Sequence, residues 1–497
     1  MKISFSKSPN SNIDLLLCPG FSNTGFLNEY NSELKKIFSD LKKNKLLSGK
    51  KGEYEVMVNS AAKNLPKKVC FIGFGDPSKL KNSEVRELAA GKMKSLLSKT
   101  HKKIGVFIPK NLEKFVKEIT EGICLINYTP AKYKTGKFNE KATQNLFDEV
   151  VLISGKHEKY KKEAEEAFLT AQAVNETRDF VNAPPNIIST AVFAEKAREV
   201  AKQNGYSIKI LEKKELEKLK MGLILAVNRG SRNRDGAKMI VLDYSPKGLK
   251  KEEYKNPVML VGKGLIFDSG GYNLKPLKAI EDMQQDKAGG SVVLGVFRLL
   301  KKLNIKKRVI GIIPLTENLI DAEAMKPSEV LTAYNGKTVE IRNTDAEGRL
   351  ILADALSYGV EKYTPGYVVD IATLTGACII ALGDRYAAVE GNDKKLIDAL
   401  IKAGNKTDEL LWEMPMHKEF SEIMKGKIAD YRNADDGTAY LGGTMKAGAF
   451  LQFFVGKSKW AHIDIAGVAY VDRPKAYDLS MATGFGVRMF IEFLKKF

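Results

Sequence analysis

Histidine is almost missing from this chain. Of 497 residues only four are histidine, His101, His157, His417 and His462, and none stands in HExxH or HxH spacing. A zinc site built on imidazole ligands is therefore not expected. Cysteine is equally scarce: Cys18, Cys70, Cys124 and Cys378 lie far apart, form no CxxC pair, and sit in apolar settings such as VCFIGFG and TGACIIALG. That pattern excludes a zinc finger or a dithiol redox motif and predicts reduced thiols in the core. Long apolar runs are absent as well. No stretch reaches the ~18 uncharged apolar residues of a membrane span. The N-terminal MKISFSKSPNSNIDLLLCPG is too polar, and its apolar run too short, for a secretory signal. The expectation is a cytoplasmic protein with no membrane partner. Internal repeats and low-complexity segments are also lacking.

What is present begins with length. A chain of 497 residues with 44% hydrophobic content exceeds one ordinary core and should divide into two or three domains. Positive charge is in excess, 80 Lys and Arg against 60 Asp and Glu, a formal +20. The lysines fall in short runs such as LKKNKLLSGKK and KKLNIKKR, without interleaved aromatics. A solvated lysine-rich surface accounts for them, with a nucleic-acid face as the alternative.

Apolar runs of strand length alternate with helical patterns through the first 150 residues: KKVCFIGFG, SEVRELAAGKMKSLLSK, KKIGVFIP, LEKFVKEITEGICLINY, FDEVVLISG. A long helix is predicted from about His157 to Val181, ending at NAPPN, where two prolines cannot continue it. Alternation then resumes, with strands expected at YSIKILEK, GLILAVN, KMIVLDYS, VMLVGKG, VIGIIPL, TVEIRNT, VVDIATLT and HIDIAGVAY. Several of these are apolar throughout, as in a sheet covered on both faces. The fold class expected is α/β: a smaller N-terminal α/β domain (1–155), a linker helix (156–182), and a larger C-terminal α/β/α sandwich (183–497) with a mixed, mostly parallel sheet.

Chemistry concentrates at predicted strand ends, where open α/β sheets place their sites. VMLVG runs into Lys263 and Asp268 (GKGLIFDSGG), the next turns carry Lys275 and Asp286, and TVEIRN runs into Asp345, Glu347 and Arg349 (NTDAEGRL). Each piece has an ordinary explanation: a lysine after a strand is usually solvated, the glycines make turns, and Asp345 and Glu347 suit a helix N-terminus. Together they are four carboxylates that would repel one another unless cations intervened. Two divalent ions fit that need, and oxygen-rich ligands admit Zn, Mn, Mg or Co.

VGKGLIFDSGGYNLKP, MQQDKAGG, NTDAEGRLILADAL and DIATLTGACIIALG resemble, in order and spacing, the signature segments of the leucyl (cytosol) aminopeptidases, which are two-metal exopeptidases. The likeness runs from about residue 181 to HIDIAG and ATGFGVR; the first 150 residues carry no matching motif. The resemblance implies that Asp268 and Glu347 bridge the metals. Lys263 and Asp286 would complete the tighter site, and Asp345 the more exchangeable one. Lys263 would have to be a neutral amine, Lys275 would stabilise the oxyanion, and Arg349 would hold a bicarbonate acting as general base towards a bridging hydroxide. It further implies a pocket for Leu or other apolar side chains from Met283, Thr373, Leu374, Gly376, Ala466 and Ala469, peptides with a free N-terminus as substrates, and a homohexamer. Ala469 and Lys287 depart from the family pattern, the first towards a wider pocket, the second towards an altered local field. A two-metal phosphoesterase and a DNA-binding protein are the competing readings. A dinucleotide site is the poorest, because GKGLIF lacks the third glycine.

Overall fold

The computed structural model describes residues 1–23, 25–59, 64–231, 235–435, 441–474, 476–478 and 481–497. The chain divides into two compact units. One is Met1–Asn175 with a short segment beginning at Arg473; the other holds Glu176–Asp472 and the C-terminal helix. The division falls inside a 22-residue helix, Lys161–Asn182, which follows a 3-10 turn at His157–Lys159 and stops before the two prolines.

The N-terminal unit is built on a six-stranded sheet. Its strands are β1 (Lys2–Ser6), β2 (Leu15–Gly20), β3 (Tyr54–Val58), β4 (Lys68–Gly73), β5 (Lys103–Phe107) and β6 (Glu149–Ile153), in the order β1-β6-β5-β2-β4-β3. All neighbours are parallel except β3 against β4. The inner strands are buried on both faces, which is why they read as unbroken apolar runs in the sequence.

The larger unit holds β7 (Ser207–Leu211), β8 (Lys238–Tyr244), β9 (Val258–Gly262), β10 (Gly264–Asp268), β11 (Val309–Asn318), β12 (Val330–Thr332), β13 (Thr338–Glu340), β14 (Tyr367–Ala372), β15 (Ala387–Gly391), β16 (Leu411–Glu413), β17 (Tyr431–Arg432) and β18 (Lys459–Asp464). Nine of them form one mixed sheet, β16-β15-β18-β14-β9-β11-β8-β7 with β10 beside β11. β16, β15, β18, β14, β9 and β11 include four parallel pairings, and antiparallel contacts occur at β15–β18, β11–β8 and β8–β7.

Helices cover both faces. Successive strand residues point to opposite sides. In β11, Gly311 faces Phe297 of the Ala288–Phe297 helix, while its neighbour Ile312 meets Gly359 of the Gly348–Tyr363 helix. The close approach also explains the glycines. A Cβ on Gly262 would lie 2.4 Å from the Gly289 carbonyl oxygen, and one on Gly359 would lie 2.4 Å from the Met259 sulfur.

Two expectations are corrected. GLILAVN is a helix, Gly222–Asn228, not a strand. Buried Asp354 accepts hydrogen bonds from the Leu223 and Ile224 N–H groups (both 3.0 Å), satisfying donors that a helix start leaves open, and a short apolar run does not by itself distinguish strand from buried helix. TVE belongs to a separate three-stranded sheet, β12-β13-β17, so the NTDAEG segment enters the rim from outside the main sheet rather than from one of its strand ends.

Candidate functional site

Parallel strands β9, β14 and β18 end side by side, and β10 ends next to β11. Lys263 directly follows β9. Its backbone is fixed by bonds to Ile371 O (3.1 Å) and from Gly290 N (2.7 Å). The fully buried Nζ lies 2.7 Å from Asp286 Oδ2 and 3.0 Å from Glu347 Oε1, and donates to Thr373 O at 3.1 Å. Asp268 closes β10. Its Oδ1 accepts from Gly270 N and Asn318 Nδ2, both at 2.8 Å, and its Oδ2 faces Lys275 Nζ at 2.9 Å. Lys275 also reaches Asp345 Oδ1 at 2.6 Å. Asp286 comes from the turn Met283–Lys287 and accepts from Thr373 Oγ1 at 2.7 Å.

The NTDAEG segment is held by two asparagines. Asn433 accepts from Arg342 N (2.8 Å) and donates to Asn343 O (2.6 Å), while Asn273 accepts from Thr344 N (2.8 Å). Glu347 occupies the N-cap position of the Gly348–Tyr363 helix but makes no side-chain capping bond. Its carboxylate is turned towards Lys263, so capping does not account for it.

Asp268, Asp286 and Glu347 each place a ligand atom within 4.8 Å of the others, all three buried. Asp286 Oδ2, Asp345 Oδ1 and Glu347 Oε2 receive no hydrogen bond of good geometry from the described residues. Burial, with Asp268 behind it, pushes Glu347 up to about 8 against the pull of Lys263; the same two causes raise Asp345 to about 6. Asp286 is also raised, chiefly by burial. Burial acts downward on Lys263 and Lys275, yet the surrounding carboxylates outweigh it and lift both above the ordinary lysine value. Carboxylates reluctant to ionise, packed around two ammonium groups and with Glu347 Oε2 lacking any donor among the described residues, are what a cation site looks like when only ammonium groups offset its charge. The donor set fits divalent metal: hard carboxylate oxygens, beside a lysine whose amine could serve as a ligand if it gave up its proton.

Arg349 projects from the same helix start and donates to Asn433 O at 2.7 Å. Burial lowers it to about 10 against the raising influence of Glu347, Asp464, Asp435 and Glu390. Around the expected side-chain pocket, Asp464 Oδ1 accepts from both Leu374 N and Ala466 N at 3.1 Å and Oδ2 accepts from Thr375 Oγ1 at 2.6 Å. Thr373, Leu374 and Ala466 are thereby gathered at one rim. Met283 is half-buried at the start of the Asp286 turn, Gly376 is exposed at the start of the Gly376–Leu382 helix, and Ala469 is 3% exposed. Lys287 is held by backbone carbonyls. Its buried Nζ donates to the carbonyls of Val181, Ala183 and Gln284, tying the NAPP turn to the Asp286 turn, and burial lowers it to about 7.

Asn318, Asn433, Thr344 and Asp464 were not singled out by sequence. Asp464 lies within HIDIAG and was legible as a strand-end carboxylate; Asn433 sits in YRNADD, which carries no periodic or motif signal.

The match to known proteins accords with this geometry. A family model described as "Cytosol aminopeptidase family, catalytic domain" matches residues 175–491, and one described as "Cytosol aminopeptidase family, N-terminal domain" matches residues 20–137. The chain belongs to the cytosol aminopeptidase family. It is a peptidase hydrolase, and its N-terminal part, where the sequence offered no motif, is matched as well. A "Probable cytosol aminopeptidase" of Geobacter sp. (strain M21) is 38% identical over 453 residues, covering 90% of this chain and 89% of its own. Another, of Chlorobium limicola, is 44% identical over 329 residues, 66% of this chain and 63% of its own. Among solved structures, a tomato leucine aminopeptidase mutant aligns with TM-score 0.85 at 28% identity, covering 100% of this chain and 97% of its own. The bottromycin maturation enzyme BotP in complex with Mn aligns with TM-score 0.83 at 27% identity, covering 97% and 99%. All four cysteines are buried free thiols, and among the described residues no helix is long and apolar enough to cross a membrane.

Proposed function

We propose that this cytosol aminopeptidase is a two-metal exopeptidase that removes single N-terminal residues, preferentially Leu or other apolar ones, from peptides. The observation that carries this reading is the buried Asp268–Asp286–Glu347 cluster with Lys263 and Lys275 inserted among its carboxylates. Asp268, Asp286, Glu347, Asp345 and Lys263 would hold two divalent ions, Mn or Zn first. When bound, such ions polarise the scissile carbonyl and activate water.

The remaining work falls to the chain. Lys275, flanked by Asp268 and Asp345, keeps its proton and can donate hydrogen bonds to the oxyanion that develops as the carbonyl is attacked. Arg349 presents a guanidinium for a small anion, bicarbonate in our reading, positioned to accept the proton of the attacking water. Asn318 fixes Asp268, and Asn273 and Asn433 fix the segment that carries Asp345 and Glu347, so these ligands do not have to be reorganised at each turnover. The rim formed by Thr373, Leu374 and Ala466, with Met283, Gly376 and Ala469, is assigned to the first side chain, and a homohexamer in the cytoplasm is the assembly we assign. The nucleic-acid alternative draws no support from the relatives; the excess lysine is surface charge.

The deciding experiment strips the protein with chelator, restores Mn²⁺ or Zn²⁺, and follows Leu-p-nitroanilide against its N-acetyl counterpart and p-nitrophenyl phosphate. Metal-restored cleavage of the free-amine substrate alone is expected. Cleavage of the phosphate ester instead would replace the exopeptidase reading with a phosphoesterase.

A further inference from the structure

Behind the site, three strands carry an unusual row of polar side chains through the core. β18 places His462 in register with Asp370 of parallel β14 and with Glu390 of antiparallel β15. Cross-strand partners of this kind project to one face of the sheet. All three residues have no exposed surface. His462 Nδ1 bonds Asp370 Oδ1 at 2.6 Å, and Trp460 Nε1 donates to Asp370 Oδ2 at 2.7 Å, so that end of the row is satisfied. The other end is not. Glu390 Oε1, Glu390 Oε2 and His462 Nε2 have no hydrogen-bond partner among the described residues, and neither does Arg349 Nε. The backbone of the Gly443–Gln452 helix presses on the carboxyl group: a Cβ on Gly448 would stand 2.4 Å from Glu390 Cδ.

A carboxylate in such a place is costly unless a charged partner or a proton compensates it. The groups acting on Glu390 are His462 and Asp464 of β18, Asp370 of β14 and Arg349 of the Gly348–Tyr363 helix. Cys378 of the Gly376–Leu382 helix lies close enough to feel its charge. Lys446 of the covering helix is engaged with Asp435, and Lys394, Lys395, Asp398, Lys402 and Lys406 of the Lys394–Thr407 helix are exposed. On β16, Glu413 pairs with Lys394. We propose that Glu390, in register with His462, carries an exchangeable proton in the core near Arg349, and that Glu390 is a positioning residue that sets how strongly Arg349 retains an anion in the peptidase site. The second half rests on the reading of Arg349 as an anion holder.

The charge balance gives the sign. Burial, reinforced by Asp464 and Asp370, raises Glu390 to about 8. Burial opposes protonation of His462, but Asp370 outweighs it and holds the imidazole up at about 9. At neutral pH His462 is therefore protonated and Glu390 neutral, and Arg349 keeps its full attraction for an anion. As pH rises the Glu390 carboxyl loses its proton to solvent, one negative charge appears near Arg349, and the anion is held less tightly.

The test uses metal-loaded enzyme and two readouts besides turnover. Imidazole NMR is tractable because the chain has only four histidines, and His462→Asn identifies the resonance. Glu390→Gln should lower the His462 titration midpoint, since it removes the neighbouring negative charge. Calorimetric sulfate binding that is lost in Arg349→Met should weaken in wild type by about tenfold between pH 7 and 9, the order expected for one added charge at moderate range, and by a smaller factor in Glu390→Gln, where His462 alone of the pair still titrates. An unchanged His462 midpoint in Glu390→Gln, or superimposable pH dependence of sulfate binding, overturns the proposal. Absence of any Arg349-dependent sulfate binding refutes the anion role while leaving the coupling of Glu390 to His462 to be judged by NMR alone. If Glu390→Gln does not fold, Glu390→Met with the same readouts decides.

Discussion

Replacing Gly348 with alanine tests the placement of Lys263 directly. Gly348 opens the helix behind Glu347, and a Cβ there would lie 2.6 Å from both Lys263 Cε and Nζ and 3.0 Å from Leu374 Cδ1. Ordinary contact begins at 3.4 Å, so the lysine end must retreat by about 0.8 Å (3.4 − 2.6). The fold should tolerate this. Alanine gains up to ~1 kcal/mol over glycine in a helix, which offsets part of the ~1–3 kcal/mol typical of overpacking, and the group that moves is the tip of a flexible side chain. Activity should not tolerate it: at roughly 100-fold per ångström of misplacement, 0.8 Å corresponds to a loss of roughly 40-fold in kcat/KM. The assay combines thermal unfolding, metal content by atomic emission and Leu-p-nitroanilide turnover. Gly91→Ala serves as control, because nothing lies within 4 Å of its Cβ. Wild-type turnover and metal affinity in Gly348→Ala would refute the assignment of the Lys263 amine to the metal site.

Other substitutions separate the remaining roles. Lys275→Ala should retain both ions and lose about 10²–10³-fold in kcat, as for removal of an oxyanion donor; lost metal would make it a structural counter-charge instead. Glu347→Gln should abolish activity together with metal stoichiometry, measured by the same emission assay. Asp354→Ala leaves the buried N–H groups of Leu223 and Ile224, and the half-buried one of Tyr334, without their acceptor, a cost of about 1–3 kcal/mol for each buried donor, visible as a lowered denaturant midpoint. Burial raises the Asp354 carboxyl to about 7. Its raised pKa contributes stability that is present below the ordinary carboxylate value near ~4 and lost as pH rises through 7. Asp354→Asn should abolish that slope, and an unchanged slope would contradict the buried acceptor role.

The alternation of apolar strands and amphipathic helices was legible because parallel sheets covered on both faces need unbroken apolar runs, as β9 and β11 show. GLILAVN escaped the same logic: so short an apolar run satisfies either element, and only Asp354, some 130 positions away, supplies the acceptor that makes it a helix start. Lys287 was expected to alter the field around Asp286. The two groups do act on one another electrostatically, while the lysine Nζ is anchored on three backbone carbonyls, a choice set by which acceptors lie within reach after folding.

The sequence by itself determined which residues were candidates for the site. Lys263, Asp268, Lys275, Asp286, Asp345, Glu347 and Arg349 stand in motif order, and the scarcity of histidine already directed attention to oxygen-rich metal chemistry. Only the tertiary structure decided their convergence. The strand order brings Lys263, Thr373 and Asp464 side by side from positions up to 201 residues apart, and a separate small sheet delivers Glu347 to meet them. Buried charge depends on distance and desolvation, which are properties of the packed chain. For the same reason the row Asp370–His462–Glu390 was invisible in the sequence: its members come from three strands and become neighbours only through sheet register.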